Sequence, residues 1–264
     1  VLFSFSLPVK ALGQSLEWQD LGSHRLAKLK IRQSDKDGFA LLPNNKTGLL
    51  FANKLSRMLV ARNRNLANGS GVALGDINGD GLADVYFCGL QTDNKLFRNL
   101  GDWKFEDMTQ DSGVACPRQY STGALIEDID GDGDNDLLVT ALAKGTRLFL
   151  NDGNGRFTED PNSGLFPKLG ATSMAIADYD LDGDLDLYVA NYRTTNHKDR
   201  PPGVNVSVTQ EGGKIVVSPS SRFTYLKTSR TDGVNIVELG EPDFLYENLG
   251  GGKFKPVVWT KGAF

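Results

Sequence analysis

The sequence predicts an all-β architecture assembled from repeated four-stranded antiparallel units, and three observations carry that expectation. Three lines align without gaps, GVALGDINGDGLADVYFCG from Gly71, GALIEDIDGDGDNDLLVTA from Gly123 and SMAIADYDLDGDLDLYVAN from Ser173, with first aspartates 52 and 50 residues apart. Each is followed by a second matched segment, KLFRNLGDWKFEDM from Lys95, RLFLNDGNGRFTED from Arg147 and FLYENLGGGKFKPV from Phe244. Asp76 to Phe97 and Asp128 to Phe149 share one spacing of 21 residues, so both halves of the repeat recur together.

Within each repeat, short runs rich in Val, Leu, Ile, Phe and Tyr are bounded by Gly, Asn and Asp, which reads as four strands. The segments N-L-G-D-W, N-D-G-N-G and N-L-G-G-G supply the turn of an outer hairpin. A four-stranded unit of about 50 residues fits a β-propeller blade better than a solenoid coil, whose repeats run to ~20–45 residues. Phe97, Trp103, Phe105, Phe149, Phe157, Tyr246 and Phe254 recur at matched positions, and packing between blades is the preferred reading for them over a sugar-stacking platform. Trp18 and Trp259 fall outside the repeat.

The expected organisation is a signal-peptide remnant at 1–13, a lead-in at 14–40, and a partial propeller at 41–264 interrupted at about 192–240. Val1 to Val9 is apolar, and Ala11 and Gly13 stand three and one residues before a cut at Gln14, the small-residue pattern of an export signal. In the third repeat, Asp178 to Tyr246 spans 68 residues where the others span 21, which places the insertion between the second and third strands. Inside it VNVSVTQEGGKIVVS holds two alternating runs around Glu-Gly-Gly, a β-hairpin. Leu49 to Asn53 resembles the KLFRN segment, so residues 41–66 are expected to supply outer strands of a preceding blade. About three blades plus a fraction do not close a ring of four to eight, so the chain reads as a fragment of a longer propeller.

Composition narrows the function. The chain of 264 residues carries 29 basic and 33 acidic residues, no basic excess with which to neutralise a phosphate backbone, so nucleic acid is excluded as a partner. No run approaches the ~20 apolar residues of a membrane span. Two cysteines, Cys88 and Cys116, are too few for a disulfide scaffold and lack C-x-x-C spacing. Of the 33 acidic residues, 13 lie in three nine-residue windows that contain no Lys or Arg. Such anionic knots invite cations.

Each window fits D-x-[DN]-x-D-G-x-x-D. The candidate metal ligands are Asp76, Asn78, Asp80, Leu82 and Asp84; Asp128, Asp130, Asp132, Asp134 and Asp136; and Asp178, Asp180, Asp182, Asp184 and Asp186. Side chains serve at positions 1, 3, 5 and 9, and the backbone carbonyl of Leu82, Asp134 or Asp184 at position 7. Calcium needs six to eight hard oxygens in a flexible shell, and this pattern supplies most of them. Gly at position 6 permits the reversal that wraps positions 1 to 5 around an ion. Magnesium fits less well because it keeps its waters in a strict octahedron, and zinc would want His or Cys. An EF-hand fails, since position 12 holds Phe87, Val139 and Val189 rather than Glu, and strands flank the loop. About three calcium ions are expected.

The lines GDINGDGLADVYF, EDIDGDGDNDLLV and ADYDLDGDLDLYV resemble FG-GAP/VCBS repeats, the calcium-loop blades also found in integrin α-subunits. The recurring N-x-x-G-x-x-F, with ANYR at Ala190 to Arg193, is similar to the secreted bacterial relatives of cartilage acidic protein that often end in an ASPIC/UnbV domain. The resemblance covers about residues 40–264. It implies a seven-bladed, calcium-stabilised propeller exported from the cell, extracellular or periplasmic, acting in adhesion or recognition of a protein or glycan. It also implies that the ions sit at one rim and that Cys88 and Cys116 sit at the other. There they would form either a disulfide between neighbouring blades or two buried thiols.

The alternative is a propeller-type polysaccharide lyase or hydrolase. No catalytic constellation is visible: the histidines are His24 and His197, the latter in a polar loop beside Lys198, Asp199 and Arg200, and no G-x-S-x-G or H-E-x-x-H occurs. Tyr192, Arg193 and Tyr225 of the insertion are the better-exposed candidates for partner contact.

Overall fold

The computed structural model describes residues 18–20, 25–27, 40–166, 168–199, 204–227 and 234–257. The expected signal remnant, most of the lead-in, His24, Trp259 and the Trp18 side chain lie outside the described residues. Contacts divide the chain into Val1–Leu41 and Leu42–Phe264. In the first unit β1 (Trp18–Asp20) pairs antiparallel with β2 (Arg25–Ala27).

The second unit opens with α1 (Asn44–Thr47), a single turn, and α2 (Arg57–Arg62), whose preceding Ser56 hydroxyl accepts the Leu59 N–H as an N-cap. A 3-10 turn follows at Arg64–Asn68. The strand expected at Leu49 to Asn53 does not form. Its residues make side-chain contacts instead: Asn53 Oδ1 accepts the Leu90 N–H at 3.0 Å, its amide donates to Ser70 Oγ at 2.6 Å, and Phe51 stacks on Phe87 with centroids 4.9 Å apart. A strand-like sequence without a partner ladder leaves its backbone groups to other bonds.

The repeats fold as expected. The first gives β3 (Val72–Gly75), β4 (Asp84–Phe87), β5 (Lys95–Asn99) and β6 (Phe105–Asp107), paired antiparallel in chain order, then α3 (Thr109–Ser112). The second gives β7 (Ser121–Glu127), β8 (Asp136–Ala141), β9 (Gly145–Asn151) and β10 (Phe157–Glu159), paired likewise. The third begins with β11 (Ala171–Ala177) and β12 (Asp186–Asn191), and the chain then leaves the sheet. Two hairpins intervene, β13 (Ser207–Glu211) with β14 (Lys214–Ser218), and β15 (Phe223–Lys227) with β16 (Val234–Glu238). Finally β17 (Phe244–Asn248) and β18 (Phe254–Pro256) complete the sheet in the order β11-β12-β17-β18.

Strand periodicity decides which blade each side chain meets. Leu137 and Val139 of β8 point into a core shared with Tyr86, Leu96 and Ile126, while Leu138 between them joins Leu148, Leu187, Val189 and Tyr246 on the other face. All six residues of β8 are buried, so the second sheet is covered on both faces. The innermost strands run side by side, β7 between β3 and β11. A Cβ on Gly71 would fall 2.8 Å from Gly123 Cα, so that contact requires glycine. Three sheets stacked face to face with adjacent inner strands are three neighbouring blades of a partial propeller.

Phe97, Phe149, Tyr246 and Phe254 are buried as expected, whereas Trp103 is 70% exposed. Trp103 sits at the tip of the β5–β6 turn in the left-handed region, φ +61°. Gly155 and Gly252 hold that place in the next two blades, pressed against the blade before. Among the described residues no blade precedes the first, so the indole has nothing to meet. Cys88 and Cys116 are free thiols in the core between the first and second blades.

Candidate metal centre

The three acidic loops join β3 to β4, β7 to β8 and β11 to β12, at the ends of the inner strands. Position 1 is the hub of each. Asp76 Oδ1 accepts the N–H of Asn78, Gly79 and Asp80 at 3.2, 2.8 and 3.2 Å, and its Oδ2 accepts that of Gly81 at 2.7 Å. Asp128 takes the N–H of Gly131 and Gly133, and Asp178 those of Leu181, Asp182 and Gly183. The chain can curl this tightly because Gly81, Gly133 and Gly183 adopt φ of +82°, +97° and +101°.

Position 9 is the buried floor. Asp84, Asp136 and Asp186 are almost completely enclosed, and each spends both oxygens on backbone N–H groups. One oxygen takes the position-2 N–H, from Ile77 at 2.9 Å, Ile129 at 3.0 Å and Tyr179 at 3.0 Å. The other takes the N–H of an asparagine at the end of the third strand, from Asn99 at 2.6 Å, Asn151 at 2.9 Å and Asn248 at 2.8 Å.

The sequence motif does not disclose those three asparagines, which it reads only as turn residues. Their signal was the spacing itself, since Asn99 and Asn151 each stand 23 residues after position 1 of their loop. Side chains complete the frame: Asn99 Nδ2 donates to the Ala83 carbonyl at 2.9 Å, Asn151 Nδ2 to that of Asn135 at 2.8 Å, and Asn248 Nδ2 to that of Leu185 at 3.2 Å.

In the second and third loops, carboxylate oxygens from positions 1, 3 and 9 converge within 4.8 Å of one another, from Asp128, Asp130 and Asp136 and from Asp178, Asp180 and Asp186. The first loop has Asn78 at position 3, and its Oδ1 is buried without a hydrogen-bond partner while its amide donates to Asp80 Oδ2 at 3.0 Å. An unpartnered buried oxygen in a ring of carboxylates is what a hard cation would satisfy. Position 5 lies outside the convergent group. Asp80, Asp132 and Asp182 each accept the N–H of position 7, from Leu82, Asp134 and Asp184, at 2.9 Å. The residues present can therefore hold a metal ion.

The electrostatics agree. Burial, followed by the charge of Asp130, pushes the Asp136 carboxyl up to about 6, against backbone N–H bonds that pull it down. Asp84 is raised chiefly by burial, with Asp80 and Asp76 adding to it, and Asp130 by burial and then by Asp132 and Asp128. Asp76 runs the other way: burial opposes its charge, but its four N–H donors hold it below the ordinary carboxylate value.

The insertion carries a separate buried ion cluster. Glu238 accepts from Arg222 Nε at 2.7 Å and pairs with His197 Nδ1 at 2.9 Å and Arg193 Nε at 3.5 Å, with His197 edge-on to Phe223. Arg193, expected to be exposed for partner contact, is instead largely buried here and donates to the Leu239 carbonyl. Sequence reasoning missed the β15–β16 hairpin that brings Arg222 and Glu238 together.

At the opposite ends of the inner strands, Ser70, Thr122 and Thr172 occupy equivalent repeat positions and line one cavity of about 210 Å³ with Asn65, Asn68 and Arg193. Among the described residues no helix is long and apolar enough to cross a membrane.

Comparison with known proteins agrees with this architecture. The FG-GAP-like repeat family matches residues 76–139 and again 128–189, each match running from one acidic loop through the next. Cartilage acidic protein 1 of Xenopus tropicalis is 25% identical over 175 residues, 65% of this chain and 25% of that protein. The Homo sapiens protein of the same name is 28% identical over 133 residues, 48% of this chain and 20% of its own length, and that of Mus musculus 27% over 133 residues, covering 48% and 21%. The matched region thus spans about a quarter or less of these relatives. The chain therefore carries FG-GAP-like repeats and is homologous over part of its length to cartilage acidic protein 1.

Proposed function

We propose that this chain is an extracellular calcium-binding propeller module for adhesion or recognition. In this reading calcium rigidifies the loop at one end of each blade, and the opposite rim receives a protein or glycan partner. The convergence of positions 1, 3 and 9 in loops that recur in register carries it. Bound calcium supplies positive charge where buried carboxylates repel one another. The chain's own residues do the rest: position 1 gathers the turn, position 9 fastens it to the third strand, and Asn78, Asp130 or Asp180 closes the near side.

The cavity of Ser70, Thr122 and Thr172 supports the partner half of the reading. Thr122 Oγ1 donates to the Ala171 carbonyl at 2.7 Å and lies 3.2 Å from Thr140 Oγ1, from which it then accepts, and Thr172 Oγ1 donates to the Ala190 carbonyl at 3.2 Å, so Thr122 keeps one hydroxyl lone pair for a ligand and Thr172 keeps its own. Calorimetric titration of the folded chain with calcium tests the ion half. About three sites with a raised Tm are expected; a folded protein that takes up no calcium overturns the proposal.

A further inference from the structure

The acidic loops are not independent, because the first and the second are each bonded to the blade that follows. Asn151 of the second blade donates its side-chain amide to the Ile77 carbonyl, position 2 of the first loop, at 2.8 Å, and shares that amide with Asn135 of its own loop at 2.8 Å. Its N–H holds Asp136 at 2.9 Å, and its Oδ1 accepts the Gly155 N–H. One residue thus touches the first loop and its own loop through its side chain, while its backbone N–H fixes the floor of the second. Asn248 repeats the arrangement a blade further on, with its amide on the Ile129 carbonyl at 2.9 Å and its N–H on Asp186.

Packing follows the same line. Ile77 and Ile129, at position 2 of the first and second loops, are 2% and 3% exposed against the next blade, whereas Tyr179 of the third loop is 47% exposed. Gly155 has no room for a Cβ, which would lie 2.9 Å from Ile77 Cδ1, and one on Gly252 would lie 2.9 Å from Leu148 Cδ2. Asn99 is the built-in control: it makes the bonds within its own blade, to Asp84 and Ala83, and among the described residues it reaches no earlier loop.

We propose that Asn151 and Asn248 are positioning residues that couple calcium binding from loop to loop, so that ordering one loop raises the affinity of the next. This rests on the reading that the loops bind calcium. A loop whose carboxylates repel one another is looser than the same loop neutralised, and a loosened first loop removes the Ile77 carbonyl from Asn151. The position-2 carbonyl is thus the element both sites bias, and the effect is reciprocal. The first and second loops share another bond, from the Asn135 amide to the Asp76 carbonyl at 2.7 Å. The third loop has Leu185 at that place and cannot make it, so coupling between the first and second loops should exceed that between the second and third.

The test follows the amide resonances of Gly81, Gly133 and Gly183, one per loop, during a calcium titration of the full chain. Asp80→Ala, which disables the first loop, should weaken calcium binding at Gly133 by about five-fold or more. In an Asn151→Ala background the same change should move it less than about two-fold, the loss of coupling expected when the shared residue is gone. Asn99→Ala should weaken the first loop and leave the coupling intact. Asn135→Ala removes only the Asp76 bond and should reduce the coupling, which keeps the test alive if Asn151→Ala does not fold. Calcium binding at all three loops with Gly133 indifferent to Asp80→Ala would overturn the coupling and spare the calcium reading. So would coupling that survives both Asn151→Ala and Asn135→Ala. A folded chain whose three glycines ignore calcium defeats both.

Discussion

Asp136 and Asn151 are joined backbone to side chain, the Asn151 N–H donating to Asp136 Oδ1 at 2.9 Å, while Asp136 Oδ2 takes the Ile129 N–H at 3.0 Å. A position-9 aspartate is therefore part of the fold before any ion arrives, unlike the position-3 aspartate Asp130. Asp136→Ala orphans two buried donors and should cost about 2–4 kcal/mol in chelator as well as in calcium. Asp130→Ala should be close to neutral in chelator and destabilising only in calcium, where the ion's contribution is lost. Urea denaturation of both variants under both conditions separates these roles.

The raised carboxyls set a pH dependence. With Asp136 at about 6 and an ordinary value of 3.8, the metal-free folded chain binds a proton more readily than the unfolded one. Its contribution is fully present below about pH 4 and is lost as pH rises through 6, and Asp84 acts in the same direction. Asp107, Asp160, Glu159 and Glu238 lie below their ordinary values through contacts that include Lys95, Lys253, Arg147 and His197 respectively, and they oppose this trend only in more acid solution. In chelator, Tm should therefore fall between pH 5 and 7; with saturating calcium, which competes with the proton, that fall should shrink or reverse. Melts at both pH values in both buffers check it.

Leu181 holds position 4 of the third loop at φ +67° with its side chain 85% exposed, where the first two loops have Gly79 and Gly131. A left-handed leucine costs about 1–2 kcal/mol, partly offset by the greater unfolded-state entropy of glycine. Leu181→Gly should stabilise the chain by about 0.5–1 kcal/mol, read as a raised urea midpoint with unchanged slope.

How much of this was legible in the sequence depended on whether a residue acts within its own repeat. The loop ligands recur at fixed spacing inside one hairpin, so their chemistry could be read directly. Asn151 acts on Ile77, 74 residues earlier, and only the stacking of blades brings the two together. Trp103 and Leu49 to Asn53 were misread for a related reason: their strand-like or core-like pattern presumes a neighbour, and among the described residues there is none on that side. Arg193 looked exposed because its partners Glu238 and Leu239 sit on a hairpin about 45 residues away, whose turns hide its register.

The buried thiols allow a plain test of the first interblade core. Cys88 is pushed up to about 12, chiefly by burial, and burial raises Cys116 as well. Neither should react with iodoacetamide at pH 8 in the folded chain, and both should react in denaturant, since the thiolate is the nucleophile. Intact mass after timed labelling distinguishes the two states.

A crystal structure of the chain grown in millimolar calcium tests most directly whether the acidic loops are calcium sites. Anomalous density is expected at each of the three loops, with oxygens of positions 1, 3, 5, 7 and 9 at about 2.3–2.6 Å from the peak. Well-ordered loops with only water among Asp128, Asp130 and Asp136 would contradict the calcium reading.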